Sequence, residues 1–136
     1  MRVLDTDVCV AILRGADGVV EERARVRDEI VTTWMTAAEL MYGAARSRDP
    51  AGNRRLAAGF LSTLTILDMD AAAAERFGSL KFALETEGRR LADADLIIAS
   101  IALALGAILV TGNLRHFERV PGLTCESWPR PGGRQS

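Results

Sequence analysis

Short apolar segments that favour β-strands alternate along this chain with segments that favour helices. The strand-like segments are rich in Val, Ile, Leu and Thr, and we place them at residues 2–4, 30–35, 64–69, 107–111 and 123–126. Helix-like segments lie between them, at residues 6–13, 18–29, 36–48, 53–62, 70–86 and 93–105. This alternation predicts an α/β fold with a mostly parallel central sheet that is covered by helices on both faces.

The length and composition fit a single domain. The chain has 136 residues, of which 49% are hydrophobic, and we expect residues 1–128 to form one domain with its own core. The segment after Trp128 is rich in Pro and Gly, so residues 129–136 are expected to form a disordered tail. No apolar run is long enough to span a membrane, and no signal peptide precedes the first strand, so a cytoplasmic protein is expected.

The charge pattern excludes some classes of partner and site. A net charge of −1 is incompatible with a broadly basic protein that wraps nucleic acid, although local patches remain possible. Lys81 is the only lysine among 17 basic residues, so the others are arginines, whose planar guanidinium suits phosphate. Cys9, Cys125 and His116 are too few and too far apart to form a zinc site without carboxylates.

Polar residues from distant parts of the chain are predicted to meet at one edge of the sheet. In an open parallel sheet, sites form beyond the carboxyl ends of the strands. Asp5 follows the first strand, and Glu39 lies near the start of the helix after the second. Asp95 lies at the start of the helix that leads into the strand at 107–111, and Thr111 and Asn113 lie at the end of that strand.

Each of these polar residues also has an ordinary structural explanation. Thr36 and Glu39 have the spacing of a capping box, in which the Glu side chain returns to the amide of the N-cap residue. Asp93 is a good N-cap residue, and the helix dipole alone would favour Asp95. Asn113 follows a glycine in a sequence typical of a turn. Separate caps, however, give no reason for carboxylates to collect at one edge.

A divalent cation would relieve the repulsion between carboxylates placed so close together. Ligation by several carboxylates is typical of Mg²⁺ or Mn²⁺, and such an ion can activate water and stabilise charge on a phosphoryl group. No arrangement typical of a Ser-His-Asp or Cys-His nucleophile competes with this interpretation.

The segments "VLDTDVCVAIL", "TAAELMYGA" and "EGRRLADADLIIASIALALGAILVTGNLRHFERVPGL", with the final Trp128, resemble in order and spacing the PIN-domain ribonucleases of the VapC toxin family. The resemblance implies a three-layer α/β/α fold with a sheet of four or five strands. It also implies a Mg²⁺- or Mn²⁺-dependent endoribonuclease that hydrolyses structured RNA such as tRNA or rRNA by means of metal-activated water. A homodimer and a cognate VapB antitoxin are expected as well.

The resemblance carries the family's site residues over by position. It implies Asp5, Glu39 and Asp95 as metal-binding acids, Asn113 as the fourth polar position of the catalytic set, and Thr111 in support. We choose Asp95 rather than Asp93 because it directly precedes the "LIIAS" run, as the family acid does.

Three details depart from the family pattern or extend it. Asp7 stands where relatives often have Asn, and it is expected to support the site or to add an acid. His116 replaces a residue that is commonly acidic, which leaves the number of metal ions open. The arginines expected to contact RNA phosphates are Arg46, Arg89 and Arg115, although a solvated helix surface explains such arginines equally well.

Two rival functions remain. "VLDTDVCV" and "ILVTGN" also resemble the Asp-x-Asp motif and the strand-end Thr of haloacid-dehalogenase-type phosphatases, but that family needs a lysine after the Thr, and Lys81 precedes Thr111. The second rival is a catalytically silent PIN-like binding protein, which the complete set of three acids disfavours.

Overall fold

A computed structural model describes residues 1–128, and the expected tail at 129–136 lies outside the described residues. The strands are β1 (Arg2–Leu4), β2 (Ile30–Thr33), β3 (Thr65–Leu67), β4 (Ile108–Val110) and β5 (Cys125–Glu126). The helices are α1 (Thr6–Leu13), α2 (Asp17–Arg25), α3 (Trp34–Ala45), α4 (Pro50–Leu61), α5 (Ala71–Thr86), α6 (Asp93–Leu105) and α7 (Leu114–Phe117).

The strands form one parallel sheet in the order β3-β2-β1-β4-β5. The first strand of the chain therefore lies at the centre, where Val3 pairs with Val31 on one side and with Leu109 on the other. The short strand β5 forms one edge, in register with β4. This arrangement confirms the predicted α/β class and parallel sheet, which has five strands within residues 1–128.

Neighbouring residues of the central strands point to opposite faces of the sheet, and this produces two cores. Val3 and Leu109 pack with residues of α5, α6 and α7 on one face. Leu4 and Val110 pack with residues of α1 to α4 on the other. All four of these strand residues are fully buried, as expected for a sheet covered on both faces. The result is the predicted three-layer α/β/α arrangement.

The second strand ends earlier than predicted. β2 stops at Thr33, because the Thr33 hydroxyl accepts a hydrogen bond from the backbone N–H of Thr36 (3.1 Å) and so caps α3. Helix α3 therefore begins at Trp34 rather than Thr36, and Glu39 lies in its second turn. The capping-box explanation for Glu39 is wrong, because Glu39 is not the third helical residue.

Other helix boundaries also differ from the prediction. The N-cap residue of α6 is Ala92, which makes no side-chain cap, so Asp93 is the first helical residue and not the cap. Asp49 caps α4 by accepting from the N–H of Gly52 (3.1 Å), and this helix starts at Pro50 rather than at residue 53. The short helix α7 was not predicted.

At the end of the described residues, Trp128 is fixed to the edge strand β5. Trp128 is 4% exposed, and its indole N–H donates to Glu126 Oε2 (2.8 Å). The same oxygen accepts from Arg2 Nε (2.8 Å), so an Arg on the central strand holds β5 across β4. None of the helices within residues 1–128 combines the length and apolar character that a membrane crossing requires.

Candidate active site

Asp5 lies where β1 becomes α1, and three elements fix its position. Its backbone N–H donates to the carbonyl of Val110 on β4 (2.9 Å). Its Oδ1 caps α1 by accepting from the N–H of Thr6 (2.8 Å), and its Oδ2 accepts from the hydroxyl of Thr111 (2.8 Å). Asp5 is 6% exposed, so its carboxylate is nearly removed from water but keeps two hydrogen bonds.

The segment after β4 joins the first turn of α1 at the same edge. Asp7 Oδ2 accepts from the backbone N–H of Gly112 (2.9 Å). The buried Thr111 hydroxyl, which donates to Asp5, accepts in turn from the N–H of Asn113 (3.0 Å). These bonds place the 111–113 segment against the acids of α1.

Glu39 reaches this edge from α3, where it accepts a hydrogen bond from the hydroxyl of Thr6. Thr6 Oγ1 donates to Glu39 Oε1 (2.7 Å) and lies 3.0 Å from Thr36 Oγ1. Thr6 follows Asp5 in the chain, so one residue of α1 connects the first strand with the Glu of α3. The sequence analysis did not identify Thr6 or Thr36 as site residues.

Asp95 faces the same edge from the first turn of α6, and His116 of α7 pairs with it. The distance from His116 Nε2 to Asp95 Oδ2 is 3.2 Å, and both side chains are about one-third exposed. Asp93 pairs instead with Lys81 of α5 (3.0 Å) and is largely exposed. The structure therefore separates the two aspartates and places Asp95 with the other acids.

Burial and mutual repulsion affect the acids at this edge. The pKa of Asp5 is raised to about 7, first by burial and then by the negative charge of Asp7, with a smaller contribution from Asp95. Burial also raises the pKa of Asp95, against the lowering effect of His116, while Glu39 and Asp7 raise it further. Asp7 thus acts electrostatically on both Asp5 and Asp95, and Glu39 acts on Asp95.

These side chains fit a hard divalent cation in their chemistry but are not arranged around one. As placed, no group of three or more His, Cys, Asp or Glu side chains within residues 1–128 could hold a metal ion. Thr6 engages Glu39 and His116 engages Asp95, so metal binding requires a rearrangement of these side chains. Carboxylate oxygens are nevertheless the kind of ligand that Mg²⁺ or Mn²⁺ prefers, and the remaining positions around such an ion are usually filled by water.

The remaining predicted residues lie around this edge or away from it. Asn113 is the exposed N-cap residue of α7, and its side chain makes no cap hydrogen bond. Arg115, on the same short helix, is exposed. Arg46 ends α3, with its guanidinium 5.2 Å from the centre of the Tyr42 ring. Arg89 is exposed in the segment between α5 and α6.

A groove runs from this edge between α1, α3 and α4. It has a volume of about 630 Å³ and includes Thr6 and Glu39 at the acid end. Its remaining lining is largely aliphatic, and its basic residues are Arg14 and Arg46. The groove thus connects a carboxylate cluster with an apolar surface.

The comparisons with known proteins all identify the same family. The family model of the PIN domain matches residues 2–123. The chain is 38% identical over 127 residues to the tRNA(fMet)-specific endonuclease VapC of Shigella flexneri, a match that covers 93% of this chain and 96% of the relative. It is 36% identical to ribonuclease VapC2 of Haemophilus influenzae, with the same coverage.

Solved structures agree in fold. DNA-bound VapBC from Salmonella typhimurium matches with a TM-score of 0.89 at 33% identity, over 94% of this chain and 98% of that one. VapBC2 from Rickettsia felis, bound to a DNA fragment from its promoter, matches with a TM-score of 0.88 at 33% identity and the same coverage.

Proposed function

Since this chain belongs to the PIN-domain family, among the VapC toxins of toxin–antitoxin pairs, we propose that it is a metal-dependent endoribonuclease whose reaction takes place at the edge formed by Asp5, Glu39 and Asp95. The observation that carries the proposal is the convergence of acids from distant parts of the chain at one edge, where burial raises the pKa values of Asp5 and Asp95 and the charges of neighbouring acids raise them further. Keeping like charges close together lowers the stability of the folded protein. Clusters of carboxyl groups with shifted pKa values are typical of functional sites.

Asp5, Glu39 and Asp95 would hold Mg²⁺ or Mn²⁺, with Asp7 as a supporting acid. When bound, the ion would activate water for attack on a phosphodiester and neutralise the charge that develops on the phosphoryl group. We assign these acids as metal ligands because carboxylate oxygens are the ligands that these ions prefer.

The other residues of the edge hold the acids in place. Thr111 orients Asp5 through a hydrogen bond to Oδ2, and Thr6 orients Glu39 through Oε1. Asp7 fixes the N–H of Gly112 and thereby the position of the next residue, Asn113. The exposed Asn113 amide is then available to orient water or a phosphate oxygen.

We propose structured RNA as the substrate, with tRNA as the first to test. The Shigella flexneri relative is named a tRNA(fMet)-specific endonuclease, and the match covers nearly the whole of both chains. Arg46 and Arg115 would contact phosphates near the edge, and Arg89 from the segment before α6. Binding through such contacts is expected to weaken as the salt concentration rises.

The protein partner is a VapB antitoxin, since the solved relatives are VapBC complexes. A homodimer is also proposed, and light scattering of the purified chain would test it. The phosphatase alternative loses its support because the PIN family model matches residues 2–123 and Lys81, the only lysine, pairs with Asp93.

The proposal is tested by incubating the purified protein with tRNA(fMet) transcripts and with rRNA, and then mapping the RNA ends. Cleavage is expected with Mg²⁺ or Mn²⁺, and none is expected with a chelator or with the Asp5→Asn variant. Cleavage at the same rate in the chelator would refute metal dependence. Intact tRNA and rRNA under every metal condition, with a folded protein, would favour the silent binding protein instead.

A further inference from the structure

Helix α3 carries a line of outward-facing residues that begins at the acid edge. Trp34, Ala38, Tyr42 and Arg46 follow one another at intervals of four, and all four are exposed. Residues at this spacing lie side by side on a helix. We call these four residues the α3 ridge; its two aromatic residues lie about 12 Å apart along the helix axis.

The aromatic rings of the α3 ridge are unusually open to solvent for their size. Trp34 is 54% exposed and Tyr42 is 66% exposed, whereas Trp128, the other tryptophan, is 4% exposed and hydrogen-bonded to Glu126. Large aromatic side chains normally bury most of their surface, and exposing them is unfavourable. Ala38 lies between the two aromatic residues, and its small side chain leaves the space between them open.

The α3 ridge ends in a cation stacked on an aromatic ring. The Arg46 guanidinium lies 5.2 Å from the centre of the Tyr42 ring, within the range of a cation–π contact. Because both groups remain exposed, Arg46 keeps N–H donors available for an anion. Aromatic rings combined with arginine are the pattern by which proteins bind single-stranded nucleic acid.

The sheet places the start of the α3 ridge beside the acids. Val3 pairs with Val31, and continuing this register puts Thr33 level with Asp5 on a neighbouring strand, a spacing of about 4.8 Å. Trp34 is the next residue. At the other end, Tyr42 and Arg46 line the groove that also includes Thr6 and Glu39. The α3 ridge therefore begins next to the strand end that carries Asp5 and ends in the groove that contains Glu39.

We propose that the α3 ridge binds unpaired nucleotides of the RNA substrate, with bases stacked on Trp34 and Tyr42 and a phosphate on Arg46. This inference rests on the proposed endoribonuclease function. RNA is the better occupant, because the stack of Arg46 on Tyr42 supplies a cation beside an aromatic ring and lines the same groove as Glu39. A protein partner would cover the aliphatic side chains of that groove, such as Leu13 and Leu56, but not Trp34, which does not line it. The α3 ridge itself offers two aromatic rings, an alanine and an arginine.

The test measures RNA affinity separately from cleavage. In an Asp5→Asn background, Trp34→Ala and Tyr42→Ala are titrated with tRNA(fMet) and with a short unstructured oligoribonucleotide. Each is expected to bind the RNA about tenfold more weakly, whereas Trp34→Phe, which keeps an aromatic ring, loses much less. Phe82→Ala is the matched control, since Phe82 is 73% exposed on α5, and it should leave the affinity unchanged. RNA should also change the fluorescence of exposed Trp34.

The outcomes separate the two proposals. Weaker RNA binding in the alanine variants, with retained affinity for the antitoxin and an unchanged oligomeric mass, supports the inference. RNA affinity equal to that of the parent overturns the inference. If RNA affinity is unchanged but the variants lose antitoxin binding or no longer form the dimer, the α3 ridge is a protein contact instead. If the parent cuts RNA while both variants bind it normally, only this inference fails. If the parent neither binds nor cuts RNA, the proposed function fails with it.

Discussion

The hydroxyl of Thr111 donates a 2.8 Å hydrogen bond to Asp5 Oδ2, although the two residues are 106 positions apart in the chain. The bond joins the ends of two neighbouring strands, and it is one of the two hydrogen bonds that the carboxylate of Asp5 accepts there. The orientation of the most buried acid at the edge therefore depends on a threonine near the end of the domain.

Replacing Thr111 should weaken metal binding without destroying the fold. Thr111→Val keeps the shape of the side chain but removes the donor, and losing a group that orients a ligand typically costs about 10- to 100-fold in metal affinity or activity. The measurement is the Mg²⁺ concentration that gives half-maximal cleavage. Thr111→Ser retains the hydroxyl and is the control. Equal metal requirements in the Val and Ser variants would show that the hydroxyl does not act on Asp5.

The two aspartates at the start of α6 should behave differently. Asp95→Asn is expected to reduce cleavage to background, because Asp95 faces the other acids and its pKa responds to them. Asp93→Asn should keep nearly full activity, because Asp93 is largely exposed and pairs with Lys81. Cleavage assays on both purified variants decide the matter, and the reverse result would transfer the metal-binding role to Asp93.

Metal should stabilise the folded protein in the absence of RNA. Neutralising mutually repelling carboxylates favours the folded state, so Mg²⁺ or Mn²⁺ should raise the melting temperature. Asp5→Asn should be more stable than the parent by on the order of 1 kcal/mol in a chelator at pH 8, because it removes a buried charge whose pKa is raised to about 7. The variant should also respond less to metal. A parent that melts at the same temperature with saturating metal and with a chelator would argue against an ion at this edge.

Stability without metal should fall as the pH rises through the titration of Asp5. Its pKa is about 7 in the folded protein, against an ordinary value of 3.8. Between these values the folded state binds more protons than the unfolded state, so the free energy of unfolding decreases as the pH increases and levels off above about 7. Chemical denaturation of the parent and of Asp5→Asn at a series of pH values isolates this contribution. Parallel curves for the two proteins would contradict it.

Helix α7 should depend on a single buried aromatic residue. Phe117 is 1% exposed and belongs to the core formed with α5 and α6. Phe117→Ala should lower the free energy of unfolding by about 3 kcal/mol. Leu114→Ala, on the same helix at a 39% exposed position, should change it little. Similar losses in both variants, measured by urea denaturation, would count against this role for Phe117.

The parallel character of the sheet was predictable because the strand signals are simple, whereas its strand order was not predicted. β1 contributes two apolar residues after Arg2, β4 is apolar throughout, and parallel pairing follows from the helices between the strands. Once the sheet is parallel, Asp5, Glu39 and Asp95 must come to one edge. Their convergence could therefore be deduced from the order of the elements, without any knowledge of side-chain direction.

Local hydrogen bonds were harder to predict, because several residues compete for each role. Thr33 and Thr36 are both suitable caps for α3, and only the backbone at the end of β2 decides between them. Thr6 looked like an ordinary first helical residue, and its bond to Glu39 depends on how α1 packs against α3. Helix α7 has four residues, too few for hydrophobic periodicity to reveal it.

The central position of β1 has a consequence for the synthesis of this protein. Within the domain, β1 is synthesised first, yet it is flanked in the sheet by β2 and β4, and β4 begins only at Ile108. Pairings between such distant segments form late, after most of a chain is available. The acid edge of this domain can therefore assemble only after β4 has been synthesised, so a nascent chain cannot use the site before nearly all of the domain has been translated.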